Sequence, residues 1–292
     1  MSGNAATPHA ADLDVLRAVA ERAADAAART IARALADDDW TVRVKADDTP
    51  VTDVDVAAER AIRAVLVAAT PGASFFGEET GEGAATDGPA VGARAGAVVA
   101  DAGIDPRRLR WLVDPIDGTR AFVRRLPYFS TQIALAVDGE LVVGVSNAPR
   151  YGAGGERLVG VAHGAARLDG RAVRTSSITR LEEAYLSAGN LGSLARDGAR
   201  WARYGALVAR VRRARGYGDF CHYHQLARGG CDLVVESDVN ILDVAALTVA
   251  VRAAGGTVTD LGGAPIDEAT TSVLAAANAE LHAAALEVLG PA

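Results

Sequence analysis

Residues 11–36 form an Ala-rich run broken by Asp, Glu and Arg at helical spacing, and this period predicts an amphipathic first helix. A second helix, capped by Thr52 or Asp53, is predicted to run to Ala69 and stop at Pro71-Gly72. The pattern then changes to short apolar runs of strand length. Ser74-Phe75-Phe76 delivers Gly77-Glu78-Glu79, and residues 109–113 run into Asp114-Pro115-Ile116-Asp117-Gly118-Thr119, followed by a short helix over 120–124. Strands over 129–137 and 141–146, joined by the hairpin turn Asp138-Gly139, close a first lobe at residue 146. Between these parts, residues 80–108 are rich in Gly, Ala and Asp and predict a mobile surface excursion, with a short ordered piece at 97–100.

The second lobe, residues 147–292, carries strand-sized runs at 158–162 and 184–187 with a hairpin signal at Asp169-Gly170. A helix is predicted over 193–213, another after Gly216-Tyr217-Gly218-Asp219-Phe220, a buried strand over 231–236, and a helix over 243–254 ending at Gly255-Gly256. Helices and strands in this order predict an α/β fold with layered, mixed sheets. Half of the 292 residues are hydrophobic and only 5% are aromatic, so a large core of Ala, Val, Leu and Ile is expected.

A net charge of −7 argues against a nucleic-acid or anionic-membrane partner. No window reaches the roughly 18 apolar residues of a membrane span. With two cysteines, Cys221 and Cys231, and no secretory pattern over residues 1–10, a cytoplasmic protein is expected.

The candidate chemistry is acidic. In Asp114-Pro115-Ile116-Asp117-Gly118-Thr119 a strand end, a Pro and a Gly let two carboxylates point one way off a tight loop, which suits hard, oxygen-loving cations. By itself the string fits a capped, Asp-rich turn equally well. Glu78 and Glu79 at another strand end and Asp243 at a helix start supply further ligands, although Asp243 alone also fits an ordinary helix cap. Cys221, His222, His224 and Cys231 match no usual zinc spacing. Arg124 and Arg125 fit either an attractor for phosphate or plain solvated surface.

Together these residues resemble the inositol monophosphatase-like metal-dependent phosphatases, and within them the histidinol-phosphate phosphatase branch. The resemblance covers nearly the whole chain. The run 45–59 with Pro50-Val51-Thr52 and Asp55 looks like the family's opening segment, and Gly77-Glu78-Glu79 and the Asp114 loop look like its metal motifs. Gly216 to Phe220, Gly229, Asp232, Glu236, Asp243-Val244-Ala245-Ala246 and Ala254-Gly255-Gly256 follow in the same order, and Gly-Asp-Phe is the element that favours the histidinol-phosphate branch.

The resemblance implies a layered α-β-α-β-α sandwich of the inositol monophosphatase and fructose bisphosphatase type, assembled as a homodimer. It implies that Glu78, Asp114 and the Ile116 carbonyl bind one Mg²⁺, that Asp114, Asp117 and Asp243 bind a second, and that Glu78 helps with a third, weaker one. Thr119, paired with Asp55, would orient and help deprotonate the attacking water, the backbone of Gly118 and Thr119 would hold phosphate, and Glu79 would support the ligands from behind or make a water-mediated contact. Gly218, Asp219 and Glu236 match positions that contact the alcohol portion of the substrate; as alternatives, Asp219 caps a helix and Glu236 pairs with an Arg.

The activity implied is Mg²⁺-dependent hydrolysis of a small phosphate ester, foremost histidinol phosphate. Inositol monophosphate or a sugar, aminocyclitol or nucleoside phosphate stands as the alternative substrate. Outside that class the alternatives are a catalytically silent binding protein and a metal-binding structural domain. The chain departs from the family pattern at Leu242, where Trp is usual, which predicts a reshaped pocket wall. It departs again at Cys221 and His222, and in the length of the 80–108 excursion.

Overall fold

The computed structural model describes residues 10–46, 49–84 and 105–290. Helices α1 (Ala10–Asp37) and α2 (Asp53–Ala69) open the chain, with the antiparallel pair β1 (Val42–Val44) and β2 (Pro50–Thr52) between them. Thr52 is the cap of α2: its hydroxyl accepts from Val54 and Asp55 N–H, while the Asp55 carboxylate accepts from Thr52 N–H.

The first sheet contains β3 (Ser74–Gly77), β4 (Gly81–Ala84), β5 (Leu109–Asp117), β6 (Ser130–Val137), β7 (Glu140–Ala148), β8 (Glu156–Val161), β9 (Arg167–Leu168) and β10 (Arg171–Ala172). Their order is β10-β9-β8-β7-β6-β5-β3-β4; β3 and β5 run parallel and the other pairs antiparallel, so the sheet is mixed. Both Asp-Gly turns form hairpins with two consecutive positive φ angles, 51° and 87° at Asp138-Gly139 and 49° and 77° at Asp169-Gly170. Because β8 to β10 continue this sheet, it does not close at residue 146. The surface excursion is also shorter than expected: residues 81–84 pair with β3, Pro106–Arg108 form a 3₁₀ turn, and 85–104, with the ordered piece at 97–100, lie outside the described residues.

After the short α3 (Thr119–Val123), the second sheet takes β11 (Tyr185–Gly189), β12 (Arg213–Arg215), β13 (Leu233–Ser237), β14 (Thr257–Thr259) and β15 (Ser272–Ala276) in the order β12-β11-β13-β15-β14. The helix expected over 193–213 is two helices, α4 (Gly192–Arg196) and α5 (Gly198–Arg210), because Asp197 caps a new start by accepting from Ala199 and Arg200 N–H. β12 begins at Arg213, the last residue of that stretch. The remaining helices are α6 (Asp219–Ala227), α7 (Ile241–Ala253) and α8 (Ala279–Leu289).

Five layers result, and they are the expected α-β-α-β-α sandwich. α1 and α2 cover one face of the first sheet; α7, beside α6, lies between the two sheets; α5 and α8 pack together outside the second. The central position explains why α7 is buried nearly all round, from Ile241 to Val251. Two glycines set its approach: a Cβ at Gly144 would lie 2.2 Å from the Ala246 carbonyl oxygen, and one at Gly160 would lie 2.4 Å from Ala250 Cα.

Candidate active site

β5 carries its pairing with β6 past the expected end, but its register shifts between Asp114 and Asp117. That irregularity leaves Pro115 and Ile116 outside the ladder, between the two paired aspartates. Asp114 is buried and accepts Ile116 N–H at 2.9 Å. Asp117 accepts the Ser130 hydroxyl at 3.2 Å, whose oxygen in turn accepts Gln132 Nε2 at 2.7 Å. From the middle layer, Asp243 closes a capping box on α7, accepting Asn240 N–H at 2.8 Å while Asn240 itself is the cap. Asp243 is therefore both part of a helix cap and a site residue.

Asp114, Asp117 and Asp243 each offer a carboxylate oxygen within 4.8 Å of the others. Burial first, then the neighbouring acids, pushes Asp114 and Asp117 well above the ordinary carboxylate range. Burial lifts Asp243 to about 7 against the Asn240 hydrogen bonds, with Glu78 and Glu236 adding to the rise. Three acids so placed are held apart from their preferred charged state unless a cation joins them. An all-oxygen set of this kind fits a hard divalent ion.

Glu78 stands beside this trio and is the largest single charge acting on Asp114. It is delivered by the turn after β3, where Gly77 lies so close to the buried Glu59 that a Cβ would meet its carboxyl carbon at 2.5 Å. Glu59 holds the turn by accepting Glu79 N–H at 2.8 Å and Thr80 N–H at 3.0 Å. Lys45 Nζ donates to Glu78 at 2.7 Å and to Glu79 at 2.8 Å. Burial works against the ammonium, but these two acids keep its pKa above the ordinary range. Lys45 and Glu59 fall within the run 45–59, but a lone Lys and a helical Glu carry no local signal of these roles.

Gly118, at φ 86°, turns the chain into α3, and a Cβ there would strike the Tyr128 carbonyl oxygen at 2.6 Å. Thr119 follows, its hydroxyl 3.2 Å from Asp55 Oδ1 and 2.9 Å from the Ile116 carbonyl oxygen. The expected Thr119–Asp55 pair is thus formed, and Ile116 presents its carbonyl at the same point. Asp55 is buried, and burial raises its pKa against the hydrogen bonds from Thr52.

Glu78, Asp114, Ile116, Asp117, Gly118, Thr119 and Asp243 line one cavity of about 1030 Å³ together with Asp219 and Glu236. A cleft of about 900 Å³ at Arg174 and Asn278 shares no lining residue with it. Asp219 enters at φ 45° directly after Gly218 at φ 71°, a strained pair that aims the first residue of α6. Gly218 is the N-cap and Asp219 the first residue of the helix, so the helix-cap alternative does not hold. Burial, then Glu236, raises its pKa, and His222 opposes them. Glu236 is held by His222, Tyr223 and Asn190 rather than by an arginine.

The other expectations resolve individually. Leu242 is buried in the core and does not itself line the cavity, whereas the next two residues, Asp243 and Val244, do. Arg124 lines the cavity with Arg120 and Arg196, whereas Arg125 pairs with Asp38 and lies over the Trp40 ring at 5.0 Å. The cysteines and histidines form no metal group among the described residues, since His222 bonds Glu236 and His224 bonds Glu156 and Ser146.

The inositol monophosphatase family profile matches residues 12–290. The histidinol-phosphatase of Mycobacterium tuberculosis is 37% identical over 86% of this chain and 88% of its own length. That of Streptomyces coelicolor is 35% identical over 93% and 94%. A solved inositol monophosphatase from Zymomonas mobilis superposes with a TM-score of 0.75 at 32% identity, covering 96% of this chain and 99% of its own. The fold, the acidic loop after β5 and these relatives agree, and the chain belongs to the inositol monophosphatase family of metal-dependent phosphoric monoester hydrolases.

Proposed function

We propose that this chain is a Mg²⁺-dependent phosphatase for a small amino-alcohol phosphate, foremost histidinol phosphate, which it converts to histidinol and phosphate. The observation that carries the proposal is one cavity lined both by a carboxylate cluster for metal and by Asp219 and Glu236. A buried acid, Glu236, beside a half-buried one, Asp219, suits a cationic substrate end, and histidinol phosphate carries an ammonium. The M. tuberculosis and S. coelicolor relatives carry the name of that activity.

Asp114, Asp117, Asp243, Glu78 and the Ile116 carbonyl would hold two Mg²⁺ ions, with Glu78 contributing to a third. When bound, Mg²⁺ supplies a lowered pKa for water and neutralises charge on the phosphoryl group. Thr119 orients that water, because its hydroxyl hydrogen is taken by Asp55 or Ile116 and its oxygen stays available as an acceptor. Asp55, with its raised pKa, is suited to receive the proton through Thr119. The backbone of Gly118 and Thr119 holds the phosphate, Arg124 draws it in, and Lys45 braces Glu78 and Glu79. Gly218 shapes the turn that presents Asp219. Both cysteines are free and buried, as suits a cytoplasmic enzyme, and the family resemblance makes it a homodimer.

A polyol such as inositol monophosphate is the second reading, since Asn190 beside Glu236 also suits hydroxyls. Phosphate release from both esters, a sugar phosphate and a nucleoside monophosphate, with Mg²⁺ and with EDTA, separates the two. We expect kcat/KM for histidinol phosphate to exceed that for the others by about tenfold or more, with activity lost in EDTA. Preference for the polyol reassigns the substrate, and turnover that survives EDTA sinks the metal mechanism.

A further inference from the structure

α6 carries two fully buried histidines that the reaction outlined above leaves without a task. His224 is engaged at both nitrogens, 2.7 Å from Glu156 and 2.9 Å from the Ser146 hydroxyl, and so ties α6 to β7 and β8. His222 instead stands behind the cavity. Its Nε2 lies 3.1 Å from Oε2 of Glu236, and Tyr223 OH donates to the same oxygen at 2.9 Å. Both strong contacts fall on Oε2, so Oε1 keeps only Asn190 Nδ2 at 3.4 Å. A carboxylate pinned through one oxygen presents the other for recognition.

The hydrogens can be followed outward from the site. Tyr217 N–H donates to Ser187 Oγ at 3.2 Å, which leaves the serine hydroxyl hydrogen for His222 Nδ1 at 3.4 Å. With Nδ1 accepting, Nε2 carries the hydrogen and donates to Glu236. Gly189 makes room for this assembly: a Cβ there would lie 2.8 Å from Glu236 Oε1, 2.9 Å from Gly218 Cα and 3.3 Å from His222 Cε1.

We propose that His222 is a positioning residue that, with Tyr223, pins Oε2 of Glu236 and turns Oε1 toward the alcohol end of the substrate, so that it sets substrate selectivity without touching substrate. This rests on the proposed contact between Glu236 and that end. The effect belongs to KM for esters with a hydrogen-bonding or cationic alcohol, not to phosphoryl chemistry.

The test compares His222→Phe, which keeps the ring and removes both nitrogens, with His222→Gln, which restores a donor. Histidinol phosphate and para-nitrophenyl phosphate are the two esters, the second having no ammonium to recognise. We expect His222→Phe to raise KM for histidinol phosphate about tenfold, with kcat for both esters changing less than about threefold, and His222→Gln to recover most of the loss. Equal losses of kcat on both esters, without rescue by Gln, overturn the proposal and leave His222 as packing. Should His222→Phe not fold, Gly189→Ala crowds Oε1 while keeping the imidazole and must give the same KM-selective loss. Glu236→Gln separates the two levels: a raised KM there with a normal His222→Phe refutes only His222, and an unchanged KM there refutes the Glu236 contact and His222 with it.

Discussion

One hydroxyl hydrogen on Thr119 has two acceptors, Asp55 Oδ1 at 3.2 Å and the Ile116 carbonyl at 2.9 Å. Only one bond forms at a time. If Ile116 turns its carbonyl to a cation, the hydrogen is released to Asp55, and the threonine oxygen faces the water. Thr119→Ala should therefore lower kcat about a hundredfold or more while Mg²⁺ affinity and KM stay within about threefold, and Thr119→Ser should recover much of the rate. Steady-state kinetics beside a Mg²⁺ titration decide it, since a lost Mg²⁺ affinity would make Thr119 a ligand support instead. Residues of this kind could be read from sequence because they sit in short strings: Glu78, Asp114, Asp117 and Thr119 are within a few positions of a strand end. Lys45 and Glu59 could not, because each acquires its role from a partner brought near only by folding.

Two helices present site carboxylates in the same manner. Asp55 on α2 and Asp243 on α7 each occupy the third position of a capping box, with one oxygen on the cap N–H and the other left for chemistry. The cap and the function were competing explanations of Asp243 in the sequence, and in the fold they are the same feature. The helical period shows α1 and α2 because each has a wet face. It is silent for α7, which is apolar all round, so only its cap and its Gly-Gly stop betrayed it. Asp197 before Gly198 was a readable break that an unbroken helix over 193–213 passed over. The contact of α7 with the first sheet is equally specific. Gly160→Ala should cost about 1–3 kcal/mol in urea unfolding and weaken Mg²⁺ binding, because the added methyl pushes the Ala250 backbone and carries Asp243 outward. Unaltered Mg²⁺ affinity at reduced stability would show that α7 yields without moving its N-terminus.

At the scale of the molecule, the cluster joins the first sheet to the central helical layer, since Asp114 and Asp117 come from β5 and Asp243 from α7. Its electrostatics opposes the folded state when no cation is bound. Asp243 has an ordinary pKa of 3.8 and is raised to about 7 in the folded protein, with Asp114 and Asp117 also raised. A group that binds its proton more tightly when folded stabilises the fold at low pH and loses that contribution as pH rises through the folded pKa. Metal-free protein should thus melt at falling temperature from about pH 4 to about pH 7, and Mg²⁺ should raise the melting temperature more at about pH 8 than at about pH 5. Calorimetry in EDTA and in Mg²⁺ checks this, and an equal Mg²⁺ effect at both pH values would mean the acids are not in competition for one charge.

The order of the strands adds a temporal consequence. The ribosome releases β5 and its two aspartates long before α7, and β15, which separates β13 from β14, is made later still. A nascent chain can therefore display the acidic loop without being able to grip an ion firmly. Prematurely terminated copies would remain inert toward the phosphate esters around them, and hydrolytic power would be conferred only on a polypeptide whose synthesis has been finished.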